Sequence, residues 1–458
     1  MFIEKIKSEG LAQLSWIIGS EGHAAVIDPR RDCDVYIDIA AAQGCRITHV
    51  LETHRNEDLI SGAPILAERT GATVWHGPDA AGEVVYAETA REGDELLLGS
   101  VRVRVLQTPG HTDDSLSFVV YDTAFGEDAV AVFTGDALFV GDVGRTDFYP
   151  DRRREVAGLL YDSLQKLLGI GDQAVLLPAH GAGSVCGAGM ADRELSTLGY
   201  ERRTNPRLRF PDRESFIDFK VAEHHEQPPY FRTMEKLNLE GASPADPLLQ
   251  PSALGIEELT TLAGTAVLVD VRSVSAFLGA HVPGSIAIPT HLLAAFAGWL
   301  LAPEDAIVLV AEDAAQAARS ARYLTRIGFD RVLGYLEPSL VAWAAQGEGF
   351  ATLPVVDAET VHSRLLEDRH DWVLLDVRDA DEVNGGRIPG ARHVYVGHLP
   401  GVISELDGGT AYTVMCGSGS RATIAASLLR RAGLSAVDVF LGSMAAWRTA
   451  GYGTEAAA

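Results

Sequence analysis

The hexapeptide "VLVDVR" at Val267 returns as "VLLDVR" at Val373. A Pro-Gly turn follows each copy, "AHVPGS" and then "GRIPGA". Further on come "TRIGF" and "RRAGL". Asp270 and Asp376 stand 106 residues apart, and Gly328 and Gly433 stand 105 apart. A repeat kept in step over that distance means two tandem copies of one folding unit. Each copy shows a buried-type strand, a loop, a second strand and a helical segment. That order predicts a parallel sheet with helices on its faces. Two α/β domains are therefore expected, at 246–350 and 351–458, with their boundary near Gly349–Pro354. The Pro-rich stretch "GASPADPLLQP" (Gly241–Pro251) sets them apart from a first domain, 1–245.

The second copy contains "YTVMCGSGSRATIAASLLRRAG". A buried strand runs into Cys416, then a Gly/Ser loop, then Arg421 and a helix. Small residues let successive backbone N–H groups point at one sulfur. The helix adds its positive N-terminal end, and Arg421 adds a full charge. All three favour thiolate over thiol, which makes Cys416 a candidate nucleophile with Arg421 as its partner. "LLDVRDADEVNGGRIPGA" and "CGSGSR" resemble the signatures of the rhodanese family over most of residues 355–452. The six-residue loop from Cys416 to Arg421 is the size that family uses for sulfur transfer. The related dual-specificity phosphatases carry one residue more. Arg387 is a departure, since the family usually has His there.

The first copy reads "AIVLVAEDAAQAARSARYL". The 105-residue step aligns Cys416 with Ala311 and Arg421 with Gln316. Nucleophile and charge are both absent, so this copy is expected to be an inactive rhodanese-like domain.

In the first domain, short apolar strands end in loops that carry ligand-type residues. "ETHRNEDLISG" follows one such strand. "TPGHTDDS" supplies His111, "FTGDALFVGDVGRTD" supplies Asp136 and "LLPAHGAGSVCG" supplies His180. Together these resemble the metallo-β-lactamase fold, an αββα sandwich, over about 240 residues. On the family's His-x-His-x-Asp-His motif, His54 and Asp58 are present, but Asn56 and Leu59 replace two histidines. Leu59 cannot coordinate, and Asn56 is a weak neutral ligand for zinc. A two-zinc site is thereby disfavoured.

His54, His111 and Asp136 survive as a set of two histidines and one carboxylate. That is the non-haem Fe(II) pattern, with three positions open on the ion. The resemblance implies the same iron ligands as in persulfide dioxygenases, a branch of this superfamily that "TGDALFVGDVGRTDF", "STLGYERRTNP" and "YFRTMEKLNL" also resemble. Asp58 and His180 are expected to orient ligands or water. Arg203 can bind a substrate carboxylate or form a structural ion pair. Cys186 can relay sulfur near the metal or simply pack in its loop.

Overall, the chain resembles the bacterial persulfide dioxygenase–sulfurtransferase fusions. This implies one Fe(II) per chain, with Zn as a possible substitute metal. It also implies oxidation of a low-molecular-weight thiol persulfide by O2 to sulfite, coupled to sulfane-sulfur exchange with sulfite or thiosulfate at Cys416. The alternative is a zinc thioester hydrolase similar to glyoxalase II, with sulfurtransferase modules. The charge of −25, from 38 basic and 63 acidic residues without a basic block, argues against nucleic acid and anionic membrane as partners. Four scattered cysteines, the absence of a signal-peptide pattern and the absence of an apolar run of ~18 residues predict a cytoplasmic protein. Tandem sheets and an inactive copy point to a homo-oligomer, a dimer or tetramer.

Overall fold

A computed structural model describes residues 1–78, 82, 84–184, 187, 189–242, 250–262, 264–336, 339–367 and 370–456. The chain divides into two compact units. One is Met1–Pro247 with Thr325–Gly328; the other is Leu248–Leu324 with Phe329–Ala458.

The first unit is built on two six-stranded sheets. One runs in chain order through β1 (Phe2–Ser8), β2 (Gln13–Ser20), β3 (His23–Ile27), β4 (Arg46–Leu51), β5 (Thr73–His76) and β6 (Glu88–Thr89). The other contains β7 (Glu95–Leu98), β8 (Val101–Gln107), β9 (Leu116–Asp122), β10 (Ala129–Gly135), β11 (Val175–Pro178) and β12 (Ser196–Thr197). Every residue of β2 is buried, because both faces of its sheet are covered. With period two, Leu14, Trp16 and Ile18 enter the core between the sheets, against Val101, Val103, Val105 and Phe118. Ile17 turns the other way, to the helices Asp34–Ala42 and Ala63–Thr70. On the outer face of the second sheet, Val119, Val132 and Leu176 pack on Leu160, Leu164 and Leu167 of the helix Arg153–Leu168. The four layers are helix, sheet, sheet and helix, as expected.

These layers set the place of the site. His54 follows β4, His111 follows β8, Asp136 follows β10 and His180 follows β11. All four lie just past C-terminal strand ends, where loops can turn side chains inward without breaking a ladder.

The second unit has two five-stranded sheets of one topology. The first holds β13 (Ala253–Leu254), β14 (Val267–Asp270), β15 (Ile286–Ala287), β16 (Ile307–Val310) and β17 (Val332–Leu336), in the order β13-β17-β16-β14-β15. The second holds β18 (Val355–Val356), β19 (Trp372–Asp376), β20 (Arg392–His393), β21 (Ala411–Met415) and β22 (Val437–Phe440), in the order β18-β22-β21-β19-β20. All pairings are parallel. Asp270 lies opposite Val310, and Asp376 opposite Met415, so the sequence repeat is a repeat of register. Both aspartates accept hydrogen bonds from the arginine two residues on, Arg272 and Arg378, each with a 2.9 Å bond from Nε. The Ala287 N–H of the first copy donates to Ser427 Oγ of the second at 3.1 Å. Among the described residues, no helix is long and apolar enough to cross a membrane.

Candidate metal centre and thiol site

His54, His111 and Asp136 each offer one ligand atom, and these atoms lie within 4.8 Å of one another in a fully buried cluster. Asp136 Oδ2 stands 3.5 Å from His111 Nε2 and 3.9 Å from His54 Nε2. Neither Nε2 has a hydrogen-bond partner, a costly arrangement for a buried polar atom unless something binds there.

The other ring nitrogens are occupied. His111 Nδ1 lies 3.0 Å from the Arg145 carbonyl, which can only accept, so Nδ1 carries a proton and Nε2 is the nitrogen left to bind a metal in exchange for its own proton. Thr53 Oγ1 donates to Asp28 Oδ2 at 2.8 Å and therefore accepts from His54 Nδ1 at 2.9 Å. Both rings thus turn Nε2 toward one point, as metal-binding histidines do. Burial lifts the Asp28 carboxyl to about 7, against the pull of its bonds from Thr53.

His180 bridges two carboxylates, with Nδ1 2.7 Å from Asp136 Oδ1 and Nε2 3.1 Å from Asp58 Oδ2. It thus holds Asp136 in place and is itself held by Asp58. Burial works to raise the Asp136 carboxyl, but the rings of His180, His54 and His111 outweigh it and hold it well below the usual range. Burial favours neutral imidazole at both His54 and His111. It lowers His54. At His111 the Glu57 and Asp136 carboxylates win, and the ring is pushed up to about 9.

Three residues of this centre were not foreseen. Glu57, at a variable position of the motif, is buried with Oε1 3.3 Å from His111 Nε2. Asn238 donates to the carbonyls of Asn56 and Leu59, both at 2.7 Å, and accepts from Ser61 N–H at 2.8 Å, which pins the motif loop. Gly144 passes against the site: a Cβ there would meet Asp136 O at 2.0 Å and His111 Nδ1 at 3.2 Å. Gly144→Ala is therefore expected to displace the loop that supports His111. The cost should be roughly 1–3 kcal/mol of stability and about tenfold or more in metal affinity, read by thermal unfolding and chelator competition. Arg203 is solvent-exposed on the helix Leu198–Thr204, apart from the buried donors. Cys186 lies outside the described residues.

In the second unit, Cys416 is buried directly after β21. Gly419 N–H donates to its sulfur at 3.1 Å, from a backbone with φ of 120° that favours glycine. The helix Ser420–Arg431 begins at the next residue. Ser443 Oγ accepts from Cys416 N–H at 3.0 Å. Arg421, read from sequence as charge for the sulfur, also donates to Glu382 Oε1 at 2.8 Å and lies 3.6 Å from Asp379. Its charge is shared because the turn after β19 brings these carboxylates to the loop. In the first copy, Ala311 is buried at the matching place after β16, and Gln316 donates to Val271 O.

Burial tends to raise Glu382, but hydrogen bonds from Arg421 bring it down to about 2, from an ordinary 4.5. A carboxyl lowered on folding adds stability that is complete above 4.5 and fades as pH falls toward 2. In denaturant titrations, Glu382→Gln should lose roughly 1 kcal/mol or less near pH 6, because the pair is partly exposed. The gap to wild type should narrow as pH drops below 4.5.

The metallo-beta-lactamase superfamily matches residues 9–180, and the rhodanese-like domain matches residues 256–346 and 357–450. A metallo-beta-lactamase structure from Staphylococcus aureus is 30% identical, with a TM-score of 0.67, and the match covers 73% of this chain and 98% of that one. ETHE1 from Myxococcus xanthus is 32% identical, with a TM-score of 0.45, over 52% of this chain and 98% of that one. Hydroxyacylglutathione hydrolase GloC of Haemophilus influenzae is 27% identical over 42% of this chain and 91% of that protein. The chain spans 46% and 65% of the first two curated relatives it matches. With this fold, these buried donors and a full-length match to the staphylococcal structure, the chain belongs to the metallo-beta-lactamase superfamily, and two rhodanese-like domains follow that fold.

Proposed function

We propose that the first domain is a one-metal Fe(II) persulfide dioxygenase and that Cys416 is the carrier of a sulfurtransferase. The observation that carries this reading is the donor set. His54, His111 and Asp136 meet in one buried cluster, while Leu59 stands where a second metal would need a ligand. Two histidines and a carboxylate suit Fe(II), which when bound would supply the means to bring O2 and a sulfur substrate together.

The overall reaction is R–S–SH + O2 + H2O giving R–SH, sulfite and two protons. The protein's part is to hold both imidazoles by Nδ1, to hold Asp136 through His180, and to keep the centre buried. At Cys416, a thiolate attacks the terminal sulfur of a persulfide, the S–S bond breaks and R–S⁻ leaves. Sulfite or a thiol then takes that sulfur and releases the thiolate. The Gly419 N–H stabilises the sulfur in both states. A persulfide is thus both the substrate of one site and the species carried by the other, which gives the fusion a chemical reason.

The test is O2 uptake and sulfite release by anaerobically iron-loaded protein given glutathione persulfide. One sulfite per O2 is expected. Full iron loading with no uptake from glutathione, coenzyme A or bacillithiol persulfides would overturn the reading. A second reading, zinc thioester hydrolysis, draws on the similarity to the Haemophilus hydrolase. Turnover of a glutathione thioester by zinc-loaded protein without O2 would favour it.

A further inference from the structure

We propose that Glu57 is a fourth protein ligand of the metal, so that the centre uses two histidines and two carboxylates. This rests on reading the buried cluster as a metal centre, and it does not depend on which substrate is oxidised.

Glu57 stands to the two imidazoles as Asp136 does. Its Oε1 is 3.3 Å from His111 Nε2 and its Oε2 is 3.8 Å from His54 Nε2. The matching distances from Asp136 Oδ2 are 3.5 and 3.9 Å. Ligands that share an ion at about 2.1 Å lie roughly 3–3.5 Å apart when they are neighbours in its shell. Glu57 falls outside the tightest cluster, so a bound ion has to draw its carboxylate in.

Glu57 forms an ion pair with the His111 ring. Both Nε2 atoms lack a hydrogen-bond partner although the carboxylate is this close. The Nδ1 contacts to Arg145 O and Thr53 Oγ1 leave Nε2 of each ring as the nitrogen that faces Glu57. A carboxylate and an imidazole that pair through a proton can turn the same two atoms to one cation once that proton leaves, because metal ligands bind deprotonated.

The loop around Glu57 is rigidly placed. Asn238 ties the carbonyls of Asn56 and Leu59, and Tyr230 Oη donates to Asp58 O at 3.1 Å. The loss of histidines at 56 and 59 therefore comes with a carboxylate presented from position 57. Two carboxylates would balance the charge of a divalent ion, and four protein ligands would still leave room for substrate and O2 on an ion that takes six ligands. The site keeps room for both while losing the net positive charge a three-ligand centre would have.

The test uses the full chain, with cobalt(II) and iron(II) as probes. In crystals of cobalt-loaded wild-type protein, a Glu57 oxygen is expected about 2.0–2.2 Å from the ion. In chelator competition, Glu57→Ala should bind iron(II) at least about 100-fold more weakly, beyond the 10–100-fold typical of a residue that only supports a ligand. A water between Glu57 and the ion, or an affinity of Glu57→Ala within threefold of wild type, would overturn the proposal. If that variant does not fold, the wild-type crystal decides. Failure of the dioxygenase reading shows separately, as metal-loaded protein that consumes no O2.

Discussion

His111→Ala is expected to abolish iron binding and, with it, O2 consumption on glutathione persulfide by roughly three orders of magnitude or more. His111 supplies one of the two histidine nitrogens of the buried candidate cluster, and its Nε2 is held toward Asp136 by the Nδ1 bond to Arg145 O. Alanine removes that donor and leaves a buried gap between Glu57 and Asp136. Metal-free protein should also lose about 2–4 kcal/mol, because a fully buried ring is deleted and two buried carboxylates lose a cationic neighbour. The His111 ring sits at about 9 when folded, against an ordinary 6.5. A group raised on folding adds stability that is complete below 6.5 and is lost as pH rises through 9. The variant should therefore lack a wild-type decline in apo-protein stability between those values. Iron content after anaerobic reconstitution, an oxygen electrode and denaturant titrations read the three effects. Normal iron content with normal uptake in the variant would remove His111 from the centre.

Cys416→Ala should abolish thiosulfate-to-cyanide sulfur transfer, by roughly a thousandfold or more, and leave O2 uptake by iron-loaded protein unchanged. The sulfur accepts the Gly419 N–H and lies at the start of the helix Ser420–Arg431. No other described cysteine combines such a loop with a following arginine. Cys33 is buried at the start of the helix Asp34–Ala42, where burial lifts its thiol to about 12, and Cys45 has no such loop. Cys416→Ser should be as inactive as alanine, since an alcohol oxygen cannot replace sulfur as carrier of a sulfane sulfur atom. The stability change should be about 1 kcal/mol, because a small side chain is lost from a loop fixed by its backbone. Thiocyanate formation and O2 uptake, measured on one preparation, separate the two centres. Retained transfer in both variants would place the nucleophile elsewhere.

Much of this molecule was legible before its fold was known. The repeated Asp-Val-Arg segments announced two sheets of one topology, because strand period and turn chemistry are local properties of a sequence. His54, His111 and Asp136 could be read as candidate donors because each follows a strand pattern, and loops past strand ends are where such side chains can gather. The cysteine loop was readable for the same reason: its glycines, arginine and helix are contiguous.

What stayed hidden depends on contacts between distant segments. The inward aim of Glu57 is set by Asn238 and Tyr230, more than 170 residues away in sequence. The tie between Arg421 and Glu382 joins two loops that only the parallel sheet brings together. The clearance at Gly144 exists only because the Asp136 carbonyl comes to lie against it. Sequence alone determined which elements form, which residues end them and which donors are present, since these follow from local period and residue chemistry. Tertiary structure alone decided which way each loop side chain points and which charges meet, because those depend on packing between elements that no local pattern records.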